Sequence, residues 1–294
     1  MPLSYQTQDA HLVAQRVAYL SYIRDHQDAS GWIGLDDMPT DGNQYWSRMN
    51  VILALIQDFE GSGNASSITT IFNYLGEANR RLASVPLGGW ATVRAQDMIM
   101  GVQWLIDNFD ALPGVPAGFS QAWLVILAYT IHGQMLSGGG DWRTYFDTAA
   151  FPTGPACVGA ARCDMLTHGV NIGQALKSEA VWWRFSGDLD DVASTYIRID
   201  KLDKYHGAPS GMFMADEHLA GAVPSHGTET CAIVEAVVSY AQAAAIIGDA
   251  ALFERAERVT YNALPAATTK DSWERVYLQA PNEANATTQN PHIW

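Results

Sequence analysis

Cysteine is scarce in this sequence: three in 294 residues, so the chain closes at most one internal disulfide. Cys157 and Cys163 flank the short loop "CVGAARC" and could pair in an oxidising compartment, leaving Cys231 as a free thiol. Basic residues are also few. Seventeen Lys and Arg face 31 Asp and Glu, a formal net charge of −14. That balance argues against nucleic acid or an anionic membrane surface as partner and suits a neutral ligand. No stretch approaches the roughly 18 uncharged apolar residues of a membrane span. Residues 1–20 lack a basic start, and "LVAQRVAYL" has an Arg in its middle, so no secretory signal is read there and the compartment stays open. Gly-x-Ser-x-Gly, His-Glu-x-x-His and Cys-x-x-Cys are all missing. "GSG" and "GGG" follow no strand and carry no phosphate-binding lysine, which excludes a phosphate loop. No linker rich in Pro, Gly and Ser divides the chain, so residues 1–294 read as a single domain.

What the chain does have is aromatic surface and helical periodicity. Ten Trp and twelve Tyr fill cores but also make platforms for sugar rings. Trp32, Trp46 and Trp90, in loops or at helix starts, are the platform candidates. Apolar residues recur at spacings of three and four over 9–26, 46–60, 68–83, 92–108, 119–136, 170–186, 189–205, 229–247 and 251–264, and strand alternation is rare. Two junctions, "RFSGDLDDVASTYIRI" and "AIIGDAALFERAERVTYNAL", share a helix–Gly-Asp–helix pattern. Gly closes one helix in a left-handed turn and Asp caps the next, which spells helical hairpins. Other connections, 31–44, 137–167 and 206–228, are long and rich in Gly, Pro, Asp and His. Tight turns at one set of helix ends and long loops at the other are expected of a helical barrel or toroid whose long loops build the site. A solenoid of helical pairs is the alternative, though no tight repeat is visible.

The chemistry concentrates in "MFMADEHLAGAVPSHGTETCAIVEA", residues 212–236. Thr228 is a plausible N-cap for a helix starting at Glu229, which puts Cys231 in a first turn, where free N–H groups favour a thiolate. Glu229 and Cys231 could converge there on one metal ion, and mixed oxygen and sulfur ligands suit zinc. On residue type alone, a small buried cysteine beside a capping acid is the commoner arrangement. Of Asp216, Glu217 and His218, three adjacent residues rarely converge on one ion, so Glu217 alone is taken as functional. His168 with Asp164 and Asn171 reads as a capping or loop histidine before it reads as a general-base cluster.

The segment "MADEHLAGAVPSHGTETCAIVEAVVSY" resembles the region around the catalytic acid and the Glu-x-Cys metal pair of glycoside hydrolase family 127, the β-L-arabinofuranosidase-like proteins. "HQDASGWIGLDD", "DGNQYWSRMNVILALIQ", "VQWLIDN", "THGVNIGQALK" and "YNALPAATTKDSWERVYLQAPNEANA" are similar to that family's helical domain, extending the resemblance over nearly residues 20–294. It implies an all-α fold of the (α/α)6 helical-barrel type, incomplete here at both ends and without the family's β-sandwich domains. It also implies release of non-reducing-end β-L-arabinofuranose from an oligosaccharide or polysaccharide, with retention, by a zinc-bound cysteine nucleophile. Glu217 matches the general acid/base, Glu229 and Cys231 match two zinc ligands, and His168 and Tyr277 match substrate contacts. The family's other two zinc-site cysteines, one of them the nucleophile, form an adjacent pair downstream, and no Cys follows Cys231 here. The expectation is therefore an acid/base with half a metal site. Lyase or uronyl hydrolase chemistry on the same scaffold, and a helical binding fragment, are the competing readings.

Overall fold

The computed structural model describes residues 1–35, 40–157, 163–271, 273–280 and 282. They form two compact units, 1–139 and 140–294. The first unit holds α1 (Pro2–Thr7), α2 (Ala10–Asp25), α3 (Tyr45–Ser62), α4 (Ala65–Leu82), α5 (Gly89–Val93), α6 (Gln96–Asn108) and α7 (Gln121–Ser137). The second holds α8 (Trp142–Asp147), α9 (Gly169–Ala175), α10 (Ser178–Ser186), α11 (Leu189–His206), α12 (Thr230–Ile247) and α13 (Ala250–Ala266). Among the described residues, a two-stranded ladder pairs β1 (Thr228–Glu229) with β2 (Leu278–Gln279), antiparallel. The all-α expectation holds.

In the first unit α3 packs on α4 and α6, and α6 on α7. Ile68, Ile71, Phe72 and Leu75 of α4 recur at helical spacing and are fully buried. Each such side chain contributes about 1.5–3 kcal/mol on leaving water. Trp32, expected as a sugar platform, is 2% exposed and lies in this core, with the Arg48 and Arg81 guanidinium carbons 4.7 and 4.1 Å from its ring centre. Trp46 and Trp90 keep half-buried rings 6.0 Å apart, flanking buried Arg94.

A charge cluster around buried Glu77 holds the end of α4. Glu77 accepts from Arg80 Nε at 2.8 Å and Nη2 at 2.6 Å, and from Arg81 Nε at 2.7 Å. The Arg80 hydrogen bonds, reinforced by Arg81 and opposed by burial, hold the Glu77 carboxyl down at about 2, from an ordinary 4.5. A depressed acid stabilises the fold above its unfolded value and loses that contribution as the pH falls through its folded value. Glu77→Gln is therefore expected to destabilise the first unit most near neutral pH, the deficit shrinking as the pH falls from 4.5 to about 2. Urea midpoints measured across that range for both proteins check it.

In the second unit α12 packs against α9, α10 and α13, and α10 against α11. Thr230–Ile247, with mean hydropathy 1.6, is long and apolar enough by length and composition to cross a membrane. That corrects the reading that no stretch approaches the length of a membrane span; here Ile233, Ala236 and Tyr240 face neighbouring helices and are buried. Both Gly-Asp junctions are built as read. Gly187 and Gly248 end α10 and α12 at φ +66° and +82°. Asp188 and Asp249 then accept from the backbone N–H of Asp190 and Ala251, capping α11 and α13.

In the first unit, the helix read over 92–108 is broken, into α5 and α6, and α1 was not read; two elements of the second unit also differ from expectation. The helix read over 170–186 is two helices, α9 and α10, separated at Leu176 and Lys177. The loop read over 137–167 contains α8, started by Asp141, whose carboxylate accepts from Thr144 N at 2.9 Å. Trp142, Tyr145 and Phe146 of that turn are buried, a short apolar face that aromatic packing makes helical.

Candidate active site

Four chain segments of the second unit meet through backbone hydrogen bonds, and they carry His168, Glu217, Glu229 and Tyr277, with Cys231 next in the chain. Leu219 N donates to Thr167 O at 2.9 Å, and Gly169 N donates to Glu217 O at 2.7 Å. The flanking strand gives Ala215 N to Gly227 O at 2.9 Å and Glu229 N to Ala215 O at 3.0 Å. Thr230 N then donates to Tyr277 O at 2.9 Å beside the β1–β2 pair. Gly169 is required at this crossing, since a Cβ there would lie 2.5 Å from that of Ala215.

His168 is the N-cap of α9, but its side chain makes no cap hydrogen bond. Its Nε2 instead sits 2.9 Å from Glu217 Oε2. Tyr277 donates its hydroxyl to the other oxygen, Oε1. Both the His168 and Glu217 side chains are about seven-eighths buried, at 13% and 12% exposed, while Tyr277 keeps 45% of its surface. Burial pushes the Glu217 carboxyl above its ordinary value, and the Tyr277 hydrogen bond only partly offsets it. The Tyr277 hydroxyl is raised in turn, first by burial and then by Glu217. A carboxyl so placed stays protonated further up the pH scale, the property a proton donor needs.

Glu229, 4% exposed, brings its carboxylate to the same place. One ligand atom each from His168, Glu217 and Glu229 lies within 4.8 Å of the other two. Cys231 is close enough for the Glu229 carboxylate to act on its thiol, second to burial. Two details of the sequence reading are corrected. Glu229, not Thr228, is the N-cap of α12, and it makes no side-chain cap. Pairing with Leu278–Gln279 holds residues 228–229 extended, and the Thr228 hydroxyl donates to Phe213 O at 3.0 Å. The thiolate expected of a first-turn cysteine is also displaced: burial, then Glu229, push the Cys231 thiol up to about 11. Desolvation and an adjacent carboxylate outweigh the helix end.

That arrangement bears on metal binding. Oxygen plus sulfur suits zinc, and Glu229 and Cys231 offer one donor of each type, while His168 Nε2 faces Glu217 Oε2.

The loop between Glu217 and Glu229 is closed at its neck by residues that sequence reasoning passed over. Asp216 Oδ1 accepts from Gly227 N at 2.7 Å, and its Oδ2 pairs with His226 Nδ1. A histidine ten residues after an acid, across a Gly- and Pro-containing loop, was the available signal. His218 turns away from Glu217, and its Nδ1 lies 2.8 Å from the Thr167 hydroxyl. Asp164 and Asn171 serve the backbone instead, through Leu166 N at 2.9 Å and Met165 O at 2.7 Å. Cys157 and Cys163 form a disulfide.

No protein-family model and no curated protein matches the sequence. A solved structure described as "Glycoside hydrolase" does match in fold, with a TM-score of 0.66 at 13% identity over 98% of this chain. This chain spans 47% of that protein's length. The all-α fold is therefore glycoside hydrolase-like.

Proposed function

We propose that the chain carries the proton-donor centre of a retaining glycoside hydrolase acting on non-reducing-end β-L-arabinofuranosyl groups of an oligosaccharide or polysaccharide. Glu217 is the general acid/base, Glu229 and Cys231 are zinc ligands, and His168 and Tyr277 contact the sugar. The observation that carries this reading is the Glu217 carboxyl, held between His168 Nε2 and the Tyr277 hydroxyl and raised by burial. In that setting it gives its proton to the glycosidic oxygen as the bond to the sugar breaks, and takes one back from the entering water. His168 and Tyr277 fix the carboxyl plane during both transfers. The half-exposed Tyr277 ring also offers an apolar edge to the sugar.

Zinc, when bound, would keep a coordinated thiol ionised and offset the Glu229 charge beside Glu217. The nucleophile on the opposite sugar face is a cysteine in the resembled family; that role is assigned to no residue here.

Joined to a segment that supplies the nucleophile, the chain is expected to release L-arabinose from p-nitrophenyl β-L-arabinofuranoside and to leave unsaturated uronides intact. Purified protein is expected to carry zinc, lost in Cys231→Ser. Turnover of the uronide instead would reassign the chemistry to a uronyl hydrolase. Absence of zinc, with sugar binding unchanged in Cys231→Ser, would remove the metal assignment.

A further inference from the structure

Beside the Glu217 cluster lies a second set of metal-ligating atoms that the proposed reaction does not use. One ligand atom each from Cys157, Cys163 and His218 lies within 4.8 Å of the other two. Both cysteines are exposed, so reagents reach them. The three donors stand on adjoining rungs of one backbone framework. Ala156 N donates to Leu219 O at 2.7 Å and Pro155 bridges Ala220, which fixes the segment leading into Cys157 against the residues just after His218. On the other side, Asp164 N donates to the Thr167 hydroxyl at 3.1 Å, and Leu219 N donates to Thr167 O at 2.9 Å. The segment leaving Cys163 is thereby tied to the same strand. The Thr167 hydroxyl also meets His218 Nδ1 at 2.8 Å, which orients the ring and leaves Nε2 for a ligand. Such an outer-shell hydrogen bond is what metal-binding histidines ordinarily have.

We propose that Cys157, Cys163 and His218 form a binding site for a thiophilic divalent cation, zinc by donor chemistry, which opens when the disulfide is reduced. Two sulfurs and an imidazole nitrogen supply three ligands of a tetrahedral zinc site, with water as the fourth. The chemistry balances with a dithiol as reductant. Its thiolate attacks one sulfur of the Cys157–Cys163 bond, and the other sulfur leaves and takes up a proton. The reagent's second thiol then closes its own disulfide and frees the remaining cysteine. The cation displaces both thiol protons to solvent as it binds. The site does not depend on the glycosidase reading.

The test uses the full chain carrying Cys231→Ser, so that Cys157 and Cys163 are the remaining thiols. The protein is reduced anaerobically with dithiothreitol, freed of reagent by gel filtration and titrated with Co2+. A near-ultraviolet thiolate-to-cobalt charge-transfer band is expected to saturate at one equivalent and to vanish on adding Zn2+. The same chain before reduction is expected to show no band, and further substitution of His218→Gln to raise the Kd at least about tenfold. The oxygen and nitrogen ligands of His168, Glu217 and Glu229 give no such band. No band after reduction, a band of equal strength in Cys157→Ser, or an unchanged Kd in His218→Gln would each overturn the proposal. The comparison of one chain before and after reduction stands even where a variant fails to fold.

Discussion

Glu217→Gln is expected to reduce hydrolysis of β-L-arabinofuranosides with alkyl or sugar leaving groups by about 10²–10⁴-fold, the range general acid catalysis contributes. Gln keeps the shape and accepts the Tyr277 hydroxyl, but it has no proton to give. The loss should shrink for the p-nitrophenyl glycoside, whose leaving phenolate needs little protonation. A graded loss across leaving groups, measured as kcat/KM, identifies an acid; an equal loss across all of them would mean that Glu217 only shapes the pocket. Sugar binding by calorimetry should be nearly unchanged in the variant, which separates chemistry from folding.

Arg198→Met is expected to cost about 3–5 kcal/mol of stability in the second unit, because it leaves a charge buried without its partner. Arg198 is fully buried and pairs with Glu179. It also donates from Nη1 to Ser178 Oγ at 2.8 Å and from Nε to Ser194 O at 3.2 Å, and its guanidinium carbon stands 4.9 Å from the Phe146 ring centre. Burial already pushes the Glu179 carboxyl above its ordinary value, with Arg198 opposing. Without Arg198 that opposition is gone and the carboxyl takes up a proton in the folded state. A group with a raised folded value contributes stability that is present below its unfolded value and lost as the pH rises. The deficit of Arg198→Met should therefore shrink toward pH 4.5, the ordinary value, and grow toward neutrality. Adding Glu179→Gln should recover much of it at neutral pH, since replacing both partners is far milder than removing one. Urea unfolding of the two variants at both pH values measures this.

How much of this was written in the residue order depends on the range of the interaction. The Gly-Asp junctions were legible because a left-handed glycine and a capping aspartate act within three residues of each other. The (i, i+3, i+4) faces of α4, α11 and α12 were legible for the same reason. The conjunction of Glu217, Glu229 and Cys231 was readable as a cluster of reactive types near a helix start. Its finer state was not. Thr228 has the better capping chemistry, yet Glu229 occupies the cap because Leu278–Gln279, some fifty residues on, pairs with 228–229 and sets where the helix begins. Cys231 reads as a thiolate from its position, but how deeply it is buried depends on segments that local pattern does not place. Trp32 misled for a similar reason: a loop position suggests exposure, whereas Arg48 and Arg81 cover its faces. The pairing of Asp216 with His226 went unread because it spans a loop neck.

That neck has an evolutionary corollary. Residues 222, 224 and 225, at the tip of the loop, are exposed, whereas Asp216 ties its base to Gly227 and His226. Insertions or replacements at the tip can therefore drift among descendants of this chain while Glu217 and Glu229 at its base keep their spacing. Variation outside the neck and constancy within it are, in this architecture, separately heritable.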